Sequence, residues 1–114
     1  MDEFSAILVT RALDGLAMRA SAISQNIANA NSPSYLPFKV SFEEQLREAA
    51  VQGAEAARRF KPEFTRLPTD RSNREVRLDL EMASASHTAL RYAALIEVLG
   101  RQMQIARTAV RGGQ

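Results

Sequence analysis

The sequence predicts an all-α fold in which long N- and C-terminal helices form an antiparallel, coiled-coil-like pair, joined through a short helix and an irregular, proline-containing middle. Three observations predict it. Apolar residues recur at alternating spacings of four and three at both ends of the chain: Val9, Leu13, Leu16, Ala20, Ile23, Ile27 and Ala30, then Leu78, Met82, Ala85, Ala89, Tyr92, Ile96, Leu99, Met103, Ala106 and Val110. All four prolines, Pro33, Pro37, Pro62 and Pro68, lie between these runs. The 114 residues are 46% hydrophobic but only 6% aromatic, with no Trp and nineteen Ala, which is too little bulk for a thick globular core and well suited to helices in close approach.

The first helix occupies residues 1–31. Asp2 or Ser5 caps it, and the apolar row runs on for roughly 40 Å at the helical rise. Asn26 and Asn29 then share a helix face, Asn31 and Ser32 compete for backbone hydrogen bonds, and Pro33 bars its predecessor from the helical region. Residues 32–40, with Pro33 and Pro37 among Tyr35, Leu36, Phe38 and Val40, read as an extended loop docked on a surface. Ser41 and Glu44 form a capping box for a short helix in 41–60, carrying Phe42, Leu46, Ala49 and Ala50 and weakened at Gly53. Residues 61–75 are expected to be a flexible segment; across 58–73 the chain is basic and proline-broken, with Phe60, Phe64 and Leu67 as its only apolar anchors. A helix of about 50 Å follows over 76–111 and stops at Gly112-Gly113. Beside its main row lies a second, Ala83, Leu90, Ala94, Val98, Ile105 and Ala109, which widens the apolar surface enough for a neighbouring chain.

Little in the chain suggests catalysis. Cysteine is absent and His87 is the single histidine, so neither a nucleophile–base pair nor a metal set can be assembled, and its ordinary reading is a partly exposed helix residue. Glu43/Glu44 and Asp79/Glu81 sit where acids favour the start of a helix dipole. No glycine pattern cradles a phosphate, and a net charge of +2 is no nucleic-acid footprint. Arg91, Arg101, Arg107 and Arg111 read as the solvated flank of the last helix. An acidic start, Met1-Asp2-Glu3, and the lack of a long unbroken apolar run predict no cleavable signal and no transmembrane helix. We therefore expect no enzyme, no catalytic residue, no cofactor and no metal.

The stretch Asn26-Ile27-Ala28-Asn29-Ala30-Asn31-Ser32-Pro33-Ser34-Tyr35 resembles the N-terminal signature of the bacterial flagellar basal-body rod proteins, a family that includes hook and hook-associated axial proteins. Asn26, Ile27, Asn29, Asn31, Pro33 and Tyr35 carry the likeness; the family's usual Thr-Pro-Gly-Tyr is here Ser32-Pro33-Ser34-Tyr35. Residues 76–82, with Leu90-Arg91-Tyr92 and Arg107–Val110, look like the other end of the family's proximal rod members. The resemblance covers roughly residues 5–40 and 74–110 and implies a structural axial subunit. Such a subunit leaves the cytoplasm through the flagellar type III export apparatus without a signal peptide. It assembles in the periplasm with copies of itself, other rod proteins and basal-body components to transmit torque, without nucleic acid or direct membrane insertion. In that reading the helix seam consists of Leu13, Leu16, Ile23, Leu78, Met82, Tyr92, Ile96, Leu99, Met103 and Val110, and Asn26, Asn29 and Asn31 fix the helix end against its neighbours. A glycine-like positive φ at Ser34 would cost about 1–2 kcal/mol. The alternatives are a cytosolic helical-hairpin adaptor or export chaperone that binds a partner helix and, behind it, a small nucleoid-type protein.

Overall fold

The computed structural model describes residues 1–67 and 74–112, and the side chains of all of these except 74–76. The chain is mostly helical, and its two longest helices are terminal: α1, Glu3–Ala28, and α4, Arg74–Gly112. Between them come β1, Phe38–Val40; α2, Glu43–Gln52; α3, Ala54–Arg59; and β2, Phe64–Arg66. The Met1 ammonium donates to Gln102 Oε1 at 2.9 Å and the Asn26 amide to Glu81 Oε1 at 3.2 Å, so contacts at opposite ends of α1 fall in reverse order along α4.

Asp2 caps α1, its carboxylate accepting the Ser5 N–H at 2.7 Å and being held below the usual carboxylate range by that bond. At the other end α1 stops three residues earlier than the sequence suggests. Asn29 already leaves the helix with φ −108° and ψ 17°, and its backbone N–H at 3.0 Å and side-chain amide at 2.9 Å both donate back to Gln25 O, closing the last turn.

The short helix differs from expectation twice. Its cap is Phe42, with no side-chain cap bond, so the Ser41/Glu44 capping box is not formed; Glu43 instead accepts the Phe42 N–H at 3.3 Å. It is also cut into α2 and α3 at Gly53, whose φ of 122° and ψ of −179° lie in a region essentially closed to residues with a Cβ.

An all-α fold also omits one feature of the structure. Two pieces of the expected loop and flexible segment pair as antiparallel strands, Phe38 with Arg66, Lys39 with Thr65 and Val40 with Phe64. The Phe38 and Phe64 rings lie 5.2 Å apart, and the Arg66 guanidinium sits 3.9 Å over Phe38. These contacts give short strands the cross-strand packing that their length alone would not supply. Of the expected flexible segment 61–75, residues 68–73 lie outside the described residues and 74–75 already belong to α4.

The core is small and off-centre: Leu16, Ala22, Val40, Phe42 and Leu46, with Leu8, Ala12, Met18, Phe38, Phe60 and Leu95 packed around it. At its middle the Phe42 ring lies flat on α1 over Gly15. A Cβ there would stand 2.5 Å from ring carbons, so glycine is what permits the approach.

Candidate assembly site

Asn26 organises the end of α1. It is 5% exposed and all four of its hydrogen-bonding positions are used. Its Oδ1 accepts the Phe38 N–H at 2.8 Å and the Tyr35 hydroxyl at 2.9 Å; its Nδ2 donates to Phe38 O at 2.8 Å and to Glu81. The amide thus pairs with Phe38 as a neighbouring strand would, tying α1, the 29–37 turn, β1 and α4 at one point. Burial raises the Tyr35 hydroxyl above its ordinary value, and burial likewise raises Glu81 despite the bond from Asn26.

The other motif residues have lesser structural roles within one chain. Asn29 closes the helix, its Oδ1 accepting from the Ser32 hydroxyl at 3.4 Å; Ile27 and Tyr35 are half-buried; Asn31 and Pro33 are exposed. The turn is held by Ser32 N–H to Asn29 O and Tyr35 N–H to Ser32 O, at 3.0 and 3.2 Å. No non-glycine residue among those described has a positive φ, so Ser34 carries no left-handed strain.

A second cluster joins three helices and was not visible in the sequence. Glu43, opening α2, receives Arg19 of α1 at 2.5 Å on one oxygen and Arg91 of α4 at 3.1 Å on the other. Arg19 also donates to Val40 O at 3.0 Å and stacks on Phe42 with 4.9 Å to the ring centroid. The Arg19 bond is the main reason that the Glu43 carboxyl is lowered to about 2. Arg91 is therefore an inter-helix ligand of Glu43 rather than a solvated flank. A cue was present in Glu43, an acid beside a core phenylalanine, but nothing in its spacing names partners 24 and 48 residues away.

The seam residues divide by helix. On α1, Leu13, Leu16 and Ile23 are buried. On α4 the line that meets α1 is Glu81, Thr88, Leu95 and Gln102, in steps of seven, with Arg91 beside it. The expected row lies roughly 50–100° around the helix from that line at about 100° per residue. Leu78 and Leu99 are half-buried, whereas Met82, Tyr92, Ile96, Met103 and Val110 are 56%, 38%, 46%, 54% and 69% exposed, so in the single chain they do not cover α1. The second row is exposed on the opposite side, with Leu90 at 71% and Ile105 at 61%. Polar Glu81, Thr88 and Gln102 concealed the α1-facing line from a pattern that counts apolar residues.

Among curated proteins the chain is similar to the flagellar basal body rod protein FlgB of Borrelia hermsii, with 45% identity over 49 residues, 43% of this chain. The aligned stretch spans 36% of that protein's length. No family model matches.

His87 is exposed on α4, and among the described residues no group of three or more His, Cys, Asp or Glu is placed to hold a metal ion. Nor, among those residues, is any helix long and apolar enough to cross a membrane.

Proposed function

We propose that this chain is a structural subunit of the proximal rod of the bacterial flagellar basal body, without catalytic activity, that assembles with copies of itself and with other rod proteins. The likeness to FlgB over 49 residues carries the reading. It is supported by apolar surface on both flanks of α4, Met82, Tyr92, Ile96, Met103 and Val110 on one and Leu90, Val98 and Ile105 on the other. Monomeric soluble proteins rarely leave such continuous faces in water.

In this reading α1 and α4 form the antiparallel, coiled-coil-like pair of an axial protein, and the exposed row of α4 is the seam that sister subunits cover. Torque passes through side-by-side helices. Export through the flagellar type III apparatus without a signal peptide and assembly in the periplasm belong to the same proposal. Asn26 acts within the chain, fixing the helix end on β1 and α4, and leaves Asn31 and Pro33 at the surface for neighbours.

The test is location and motility. A functional tagged chain should copurify with detergent-extracted basal bodies, and its deletion should abolish swimming. Recovery in the soluble fraction alone, with swimming intact after deletion, would replace the proposal by the soluble adaptor.

A further inference from the structure

α4 turns its far side away from the rest of the molecule. Among the described residues it packs almost wholly along α1, on the line Glu81, Thr88, Leu95 and Gln102, and the side beyond is open. There the second row, Ala83, Leu90, Ala94, Val98 and Ile105, occupies roughly 80° of arc at about 100° per residue, and every member is exposed. On the same side α4 alone forms an open hollow of about 550 Å³ between Arg101, Gln104, Ile105, Thr108 and Ala109.

Three properties make this face complementary to itself when a second copy is turned end for end. The row has the same spacing in both directions from Ala94: Ala83 precedes it by as many residues as Ile105 follows it, and so do Leu90 and Val98. Antiparallel helices centred on Ala94 therefore set Leu90 against Val98 and Ala83 against Ile105 twice over, and the alanine at the centre permits close approach. The same superposition brings Leu80 and Ala83 of one copy over the hollow of the other, whose walls Arg101, Gln104, Ile105 and Thr108 have the i, i+3, i+4, i+7 spacing that receives a side-chain knob. Charge agrees with shape. On the Ala93 flank of the row the exposed Asp79 of one copy falls beside the exposed Arg111 of the other, at both ends of the pair. Arg101, held by Glu97 at 2.8 Å on its own helix, comes beside Ser86 and His87 of the other copy, so it enters the contact already paired. A parallel pair would instead set Asp79 on Asp79 and Arg111 on Arg111.

We infer that this chain forms a two-fold homodimer in which the far faces of two α4 helices pack antiparallel about Ala94, over about 50 Å of helix from Asp79 to Arg111. The contact uses the same patch on both copies and closes at two subunits. It goes beyond the rod reading and does not depend on it, because it covers one apolar row of α4 and leaves the other, from Met82 to Val110, for further partners.

The chain has no cysteine, so single introduced cysteines in the full chain report the geometry without background. Under mild oxidation Ala94→Cys should link to itself across the axis. Leu90→Cys and Val98→Cys should each link poorly alone, because like positions lie about 12 Å apart along the pair, and readily when mixed. In sedimentation equilibrium wild type should show monomer and dimer. Leu90→Glu and Asp79→Arg, both at exposed positions, should each dimerise at least roughly tenfold more weakly with helical circular dichroism retained, and Asp79→Arg/Arg111→Asp should recover the dimer.

A wild type that stays monomeric at its highest soluble concentration, a Leu90→Cys that links to itself as readily as to Val98→Cys, or an Asp79→Arg loss that Arg111→Asp does not repair would each overturn the inference. Copurification with basal bodies decides the rod reading separately. A chain found there whose Ala94→Cys variant does not link keeps its proposed function and loses this contact.

Discussion

Asn26 and Gly15 show how much of the structure hangs on single side chains. Removing the Asn26 amide leaves the Phe38 N–H and C=O and the Tyr35 hydroxyl without their buried partner. Asn26→Ala should therefore destabilise the monomer by about 2–3 kcal/mol in urea titration, while Asn29→Ala, at an exposed helix end, should lose less than about 1 kcal/mol. Equal losses would show that the hub is not what holds the turn. At Gly15 an added methyl meets the Phe42 ring, so Gly15→Ala should be destabilising by about 1–3 kcal/mol despite alanine's better helix propensity, and Phe42→Leu should relieve part of that loss in a double-mutant cycle. Asn26 stands out in the sequence at the end of an apolar row, but its partners Phe38, Tyr35 and Glu81 within the chain do not. Gly15 was not legible, because a mid-helix glycine has meaning only when the residue opposite it is known, and Phe42 is 27 positions away.

The helical elements were largely readable, and their boundaries and connections much less so. Periodicity located the two long helices because each repeats its signal over many turns; a three-residue strand repeats nothing, and the pairing of Phe38–Val40 with Phe64–Arg66 depends on residues that only the fold brings together. Gly53 was legible as a weak point in a helix, and the structure makes it a break with a backbone that alanine cannot easily adopt. Gly53→Ala should thus cost about 1–3 kcal/mol, or merge α2 and α3 and release the Arg58–Glu3 bond of 3.0 Å, readable as lost protection of the α3 amides in hydrogen exchange. The junction of α1, α2 and α4 at Glu43 sets a pH dependence. Its carboxyl is lowered from the ordinary 4.5 to about 2, so its stabilising contribution is complete above the unfolded value and disappears as pH falls through the folded one. Urea midpoints should drop between about pH 5 and about pH 2, and Glu43→Gln should flatten that drop. Glu81, raised by burial, has the opposite sign: it favours the fold at low pH and loses that contribution as pH rises through its folded value.

The whole molecule is an elongated blade, 64 × 27 × 14 Å, with a radius of gyration of 17.8 Å where a compact globule of this length would have about 13 Å. Such thinness leaves few positions with protein on every side, which explains both the small core and the exposed rows of α4. Self-association should accordingly stabilise the fold, and the thermal midpoint should rise with protein concentration; a midpoint independent of concentration would show that these rows are tolerated in water. The overall helical architecture was foreseeable from composition and period, but the face that α4 turns toward α1 was not. That choice is made by Asn26–Glu81, Glu43–Arg91 and Met1–Gln102, polar pairs whose members lie far apart in sequence.

Because Met1 rests beside Gln102, the start of α1 and the last turns of α4 lie toward the same end of the blade. Tension applied between the termini would therefore open the α1–α4 contacts sequentially, like a zipper, at low force. A load running from that extremity to the Ala28 end would instead strain the same contacts in shear, all together. Single-molecule pulling from the two geometries should find the same molecule compliant in one direction and stiff in the other.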